Sequence, residues 1–276
     1  MDSCFELKHP SHIFPDAKSE EDNRYRRIEK INKIANELFT NRNLIKQIIE
    51  SLNVPQIGPH HNEGILMDTH ISRILDTIQD LIKVNPTYHP DINADAIAMI
   101  ASVANQENEQ SLKQYALLHD LSKPDLMQVT TLDGVQYNTN IQNFKAKVIE
   151  AYLDHDTSWD PYTYDREGEY TPQTVAYYFA KAELEKIGYY HSENKKKISH
   201  GAAGAEKLTT DFPDVVEMLN PNMLSAITHH EAAHNFNTIN TTNAQKLFNN
   251  LSQEEVNWFI TESYIDTCGS LPENTT

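Results

Sequence analysis

Apolar residues recur every three or four positions through most of the chain, the spacing that lines one face of a helix. Between Glu20 and Leu52 the stripe runs through Ile28, Ile31, Ile34 and Leu38, then Leu44, Ile48 and Leu52. It predicts a helix or helical pair broken near Thr40-Asn41. Gly58-Pro59 marks a loop. A second helix is expected from about Glu63 to Val84, with Ile65, Ile71, Ile74, Leu75, Ile78 and Leu81 on one side, ended by Asn85-Pro86. A third covers about Asn93 to Asn105. A fourth covers about Gln110 to Ser122 and is closed by Pro124. There the pattern changes. Within Gln128 to Tyr137, β-branched residues flank Asp133-Gly134, a hairpin signal. Residues 154–171 are acidic and aromatic, with Trp159, Tyr162, Tyr164 and Tyr170, and read as a long loop or insertion. A helix is expected from about Pro172 to Ile187. Helical spacing resumes at His200 and continues to Cys268, with the residues from Gly269 onward fraying.

These elements make an all-α fold, and the scarcity of glycine, eight in 276 residues, agrees with it. No internal repeat or low-complexity tract interrupts the pattern. The formal charge of −17 argues against a general nucleic-acid surface, which carries a basic stripe, but leaves room for a nucleotide in a locally basic pocket. Two cysteines, Cys4 and Cys268, exclude a disulfide framework and a cysteine-type zinc site. The first residues lack a basic-then-apolar signal pattern and no run is long enough to span a membrane, so a cytoplasmic location is expected. The oligomeric state is left open.

Thirteen histidines change the picture through their positions. His70 lies inside the second helix. His119-Asp120 end the fourth, with Lys123 three residues on. His200 opens Ser199-His-Gly-Ala-Ala-Gly-Ala-Glu206. His229-His230 stand in the next helical run, and Asp266 lies late in the last. Each group falls on a different expected helix, as in a metal site built from facing helices of a bundle. The small residues after His200 allow close helix approach. Imidazole and carboxylate together suit a borderline-to-hard divalent ion.

This order of residues resembles the HD-domain superfamily of metal-dependent phosphohydrolases, with Leu117-Leu-His-Asp-Leu-Ser-Lys-Pro124 the most specific piece. The resemblance covers roughly residues 60 to 268. It implies an HD-type helical bundle over 58–270 with an insertion at about 138–198. An N-terminal helical extension over 1–57 and a tail at 271–276 complete the chain. It further implies that His70, His119, Asp120 and Asp266 surround one ion. His200 and His229 would hold a second, with Asp120 bridging and His230 a possible substitute. One or two ions of Mn, Mg, Fe, Co, Ni or Zn are the cofactors so implied. The implied reaction is hydrolysis of a phosphorylated small molecule, a nucleotide by preference. Asp120 and Lys123 are its catalytic residues, Lys123 supplying a cation near developing negative charge.

Three other readings compete. His230-Glu-Ala-Ala-His234 matches the H-E-x-x-H helix motif of zinc peptidases, with Glu262 and Asp266 as a third ligand and its support. That reading leaves His70, His119-Asp120 and His200 without a role. The same ligand order also occurs in HD-fold di-iron oxygenases, and ligand types alone do not separate the two reactions. A nucleotide-binding regulatory domain without turnover has no need of the whole ligand set. Lys195-Lys196-Lys197 stands just before His200, where it can attract a phosphate or simply face solvent. The Trp159 to Tyr170 stretch reads equally as a lid or as a partner surface.

Overall fold

Asn41 divides the first helical run. Its side-chain oxygen accepts from the backbone N–H of Asn43 (3.1 Å) and Leu44 (3.2 Å), capping α2 (Arg42–Ser51) just after α1 (Ala17–Leu38) ends. The computed structural model describes residues 17–54, 66–90, 92–131, 136–138, 184–189, 199–234 and 248–270. The second expected helix is α3 (Met67–Leu81) and the third is α4 (Ala94–Val103), which Asn93 caps by accepting from Ala96 N at 2.8 Å.

The fourth, α5 (Glu109–Leu118), stops earlier than the apolar pattern suggests. Residues after it tighten into three-residue turns, Leu121 N to Leu118 O and Lys123 N to Asp120 O. Pro124 does not close this helix. It lies in the first turn of the short α6 (Lys123–Leu126), where a missing N–H costs nothing.

The hairpin signal at Asp133-Gly134 matches two antiparallel strands, β1 (Met127–Thr131) and β2 (Gln136–Asn138), with Val129 opposite Tyr137. A third strand, β3 (Leu184–Tyr189), pairs antiparallel on the other edge of β1, with an irregularity between Thr130 and Thr131. This corrects the helix expected up to Ile187: its last residues are strand. Leu184 to Tyr189 gains ladder hydrogen bonds from β1, a non-local partner that periodicity along the chain does not reveal. Residues 139–183, with the acidic-aromatic stretch and the start of that expected helix, and the basic triplet at 195–197, lie outside the described residues.

The chain returns to helices with α7 (His200–Asp211), α8 (Pro213–Val216), α9 (Pro221–His234) and α10 (Gln253–Ser270). One apolar cluster joins Ile31 and Ala35 of α1, Leu44 and Ile48 of α2, Ile74 and Ile78 of α3, Leu112 of α5, Leu208 of α7, Ile227 of α9 and Ile265 of α10. The fold class is helical. α1 and α2 share this core rather than building their own. Arg27 Nε reaches Asp68 Oδ2 at 2.7 Å and Lys30 Nζ reaches Asp76 Oδ1 at 2.6 Å, fastening α1 along α3. α10 packs against α3, α4 and α9, and α9 packs against α7.

Two glycines set how closely these helices meet. A Cβ on Gly201 would run into Ile227 O and come within 2.7 Å of His230 Nδ1; on Gly269 it would sit 3.3 Å from the His70 ring. Gly269 and Ser270 are buried parts of α10, not the start of a fraying tail. Among the described residues no helix is long and apolar enough to cross a membrane.

Candidate metal centre

Helix ends and helix faces deliver the polar residues to one place. α3 contributes His70 from its buried face, and the turn after α5 contributes His119 and Asp120. α7 begins with His200, fixed by Ser122, whose hydroxyl donates to His200 O at 2.6 Å. α9 contributes His230 and α10 contributes Asp266.

Asp120 stands at the centre, and its two oxygens face different partners. Oδ2 lies 3.3 Å from His119 Nε2, 4.0 Å from His70 Nε2 and 2.7 Å from Lys123 Nζ. Oδ1 lies 3.0 Å from His200 Nε2 and 3.7 Å from His230 Nε2. His70, His119 and Asp120 thus form one buried group with metal-ligand spacing, and Asp120, His200 and His230 form another. Asp266 Oδ1 adjoins the first group, 3.0 Å from His70 Nε2 and 3.8 Å from His119 Nε2.

The histidines are oriented from behind. His119 Nδ1 is 3.1 Å from Ala116 O and His230 Nδ1 is 2.7 Å from Ile227 O, each a carbonyl three residues back in its own helix. A carbonyl can only accept, so Nδ1 carries the proton and Nε2 is left as the inward lone pair. His200 Nδ1 contacts the Glu231 carboxylate, and Ser270 Oγ lies 3.4 Å from His70 Nδ1. Holding the outer nitrogen so that the inner one ligates is the usual second layer of a metal site. His119 Nε2 is buried with no hydrogen-bond partner among the described residues, an orphaned basic atom that a metal ion would satisfy. Nε2 of His230 and Nε2 of His200 are only 2.9 Å apart, a convergence of basic nitrogens that an ion or a shared proton must relieve. The residues present therefore fit a divalent ion.

The electrostatics follow from this crowding. Burial raises the Asp120 carboxyl, yet the His119 and Lys123 side chains beside it, with the contact to His200, bring it well below the usual carboxylate range. Burial and Lys123 disfavour charge on His200, but hydrogen bonds to Asp120 and Glu231 outweigh them and raise its pKa. Burial, with His200 crowded beside it, lowers His230. Glu231 is held down to about 2, because its contact with His200 overcomes its own burial.

His230 stands where sequence reasoning put His229. α9 buries Met223, Ala226, Ile227 and His230, a run at helical spacing. His229 is one position off that stripe, half-buried, and feels Glu255 rather than the cluster. The signal was present in the sequence: the apolar stripe through Ile227 continues at 230, not 229. Glu231, the glutamate of the H-E-x-x-H match, contacts the outer nitrogen of His200 through its carboxylate and so fixes that ring's orientation. His70, His119, Asp120, Lys123, His200 and Asp266 lie together in the structure.

Access is uneven. The His70 and His119 side chains are 1% exposed, while His200 is 11% and Glu231 21% exposed. Solvent reaches the cluster from the α7–α9 side. A separate cavity of about 440 Å³ lies on another face of α10, lined by Thr77, Tyr88, Tyr264 and Cys268 among others, and contains none of the cluster residues. No family model, curated protein or solved structure matches this chain, so the centre is read from its own geometry.

Proposed function

We propose that the chain is an HD-type, divalent-metal-dependent phosphohydrolase that cleaves a phosphate ester of a nucleotide or related small molecule. The division of Asp120 carries this reading: one carboxylate oxygen faces His70 and His119, the other faces His200 and His230. A carboxylate shared between two imidazole pairs is suited to bridge two ions, with Asp266 completing the buried half. A bound divalent pair supplies a hydroxide at neutral pH and polarises a phosphoryl oxygen.

The chain's own residues do the rest. Lys123 Nζ, 2.7 Å from Asp120 Oδ2, balances the carboxylate and places a cation beside the cluster, where negative charge on a phosphate collects. Glu231 fixes the orientation of His200 on the solvent side, where a substrate enters. The buried side, lined by Tyr115 and His70, excludes water.

The peptidase reading needs Glu231 turned toward a water on the ion. Its contact with the outer nitrogen of His200 gives it a different task. A di-iron oxygenase would use the same ligands and is separated by experiment. Purified protein loaded with Mn²⁺ or Mg²⁺ is expected to hydrolyse p-nitrophenyl phosphate or nucleoside phosphates, and Asp120→Ala to fall to background. Equal turnover by Asp120→Ala would reject the mechanism. Two irons with dioxygen uptake and no phosphate release would replace it with the oxygenase.

A further inference from the structure

One histidine of the centre is anchored differently from the rest. His70 lies within α3 and His230 within α9, and His119 continues the last turn of α5, its N–H donating to Tyr115 O at 3.0 Å. His200 is the first residue of α7. A helix leaves its first N–H groups without partners of its own, and its ends fray. His200 is also the most exposed of the four, at 9% against 0–2% for the others. A ligand at such a position needs an anchor from outside its helix.

α7 packs on α9 and α8, and it meets α6 beside the turn that carries Asp120. Two polar ties cross from that side. The Ser122 hydroxyl donates to His200 O at 2.6 Å, and Lys207 pairs with Asp125. The ties are unequal. Ser122 is 2% exposed, whereas the Asp125 side chain is half-exposed, so water and salt weaken its pair. Ser122 is itself fixed, because its carbonyl accepts from Asp125 N at 3.0 Å and Leu126 N at 3.2 Å. The fit around it is close: a Cβ on Gly204 would touch both Ser122 Oγ and His119 O at 3.7 Å. Ser122 stands two residues after Asp120, whose Oδ1 lies 3.0 Å from His200 Nε2. Its hydroxyl therefore ties the backbone of His200 to the segment that bears the shared carboxylate. Glu231 fixes the rotation of the His200 ring, and Ser122 fixes the point from which the ring projects.

We infer that Ser122 is a positioning residue for the outer ion. It sets the gap between His200 and Asp120, and so determines how tightly Asp120, His200 and His230 bind. The inner ion, among His70, His119, Asp120 and Asp266, does not depend on it. The inference rests on the two-ion reading of the cluster.

The test titrates EDTA-stripped wild type, Ser122→Ala, Ser122→Cys and Lys207→Met with Mn²⁺ by calorimetry, and records their melting temperatures in EDTA. In Ser122→Ala the weaker-bound Mn²⁺ or the tighter-bound one, whichever His230→Ala removes, is expected to lose about 10–100-fold in affinity, the usual effect of losing an outer-layer partner. The other ion is expected to stay within about twofold. Ser122→Cys keeps the volume with a weaker donor and is expected to shift the same ion in the same direction. Lys207→Met loosens α7 without touching His200 O and is expected to leave both affinities within about twofold.

A hydroxyl that merely supports the fold would lower the melting temperature and leave the ratio of the two dissociation constants unchanged in Ser122→Ala. That result would overturn the inference. So would a Lys207→Met that weakens the outer ion as much as Ser122→Ala does, since the effect would then belong to the docking of α7 as a whole. Should Ser122→Ala fold poorly, Ser122→Cys decides by the same criterion. A wild type that binds one ion or none would remove the two-ion reading itself, and this inference with it.

Discussion

At the scale of single residues, the centre depends on which nitrogen and which oxygen each side chain presents. His119 and His230 each give Nδ1 to a carbonyl three residues back, and both Nε2 atoms turn toward Asp120. His230→Ala is therefore expected to lose one of two ions, and His229→Ala to keep both, as read by elemental analysis after dialysis. The reverse result would restore His229 as the ligand. Glu231 makes a pH prediction. Its folded pKa is about 2 against an ordinary value of 4.5, so its contact with His200 contributes stability above pH 4.5. That contribution is lost as pH falls toward 2. Acid unfolding of the metal-free protein should flatten over that window in Glu231→Gln; an unchanged profile would count against the contact. The sequence showed the residue types of the centre plainly but not the choice between neighbours. His229 and His230 are identical in chemistry, and only the rotation of α9, readable from Met223, Ala226 and Ile227, separates them.

At the scale of elements, the helices were legible because each carries a stripe, and their ends because Asn41, Asn93 and Ser199 supply cap oxygens. The turn that holds Asp120 was not. It follows an apolar run with helical spacing, and only the three-residue turns at Leu121 and Lys123 bend it toward α7. β3 was missed because a strand's partner lies far away in sequence. Close approach of helices is a property of pairs of elements, and Gly269 tests it. Gly269→Ala would drive a methyl into Ile74 and the His70 ring. It is expected to destabilise the fold by about 1–3 kcal/mol, the range for overpacking, and to weaken Mn²⁺ binding with it. A variant that melts and binds like wild type would show that α3 and α10 have slack. The fastening of α1 to α3 gives a companion case. Asp68 is fully buried against Arg27, two residues before His70. Asp68→Asn should cost roughly 1–3 kcal/mol in denaturant unfolding, below the figure for a fully buried pair because Arg27 is partly solvated.

At the scale of the whole molecule, a formal charge of −17 sets the background. Net charge of this size repels itself in the compact state, and salt screens it. The melting temperature of the metal-free protein should rise with NaCl. Divalent ions should raise it further and saturably, since a ligand at a hundred times its Kd stabilises by about 2.7 kcal/mol. The two effects separate in Asp120→Ala, which should keep the salt response and lose the saturable one. Charge and fold class were both readable from composition and periodicity; that four helices and a turn converge on one carboxylate is a long-range property that the order of His and Asp along the chain only suggested. Everything then rests on that carboxylate. The most direct measurement is the Mn²⁺ stoichiometry of the wild type and of Asp120→Ala, by calorimetric titration of protein stripped with EDTA. Two ions bound by the wild type and none by the variant is the result expected of a bridging Asp120. A wild type that binds no ion, or a variant that binds as the wild type does, would contradict it.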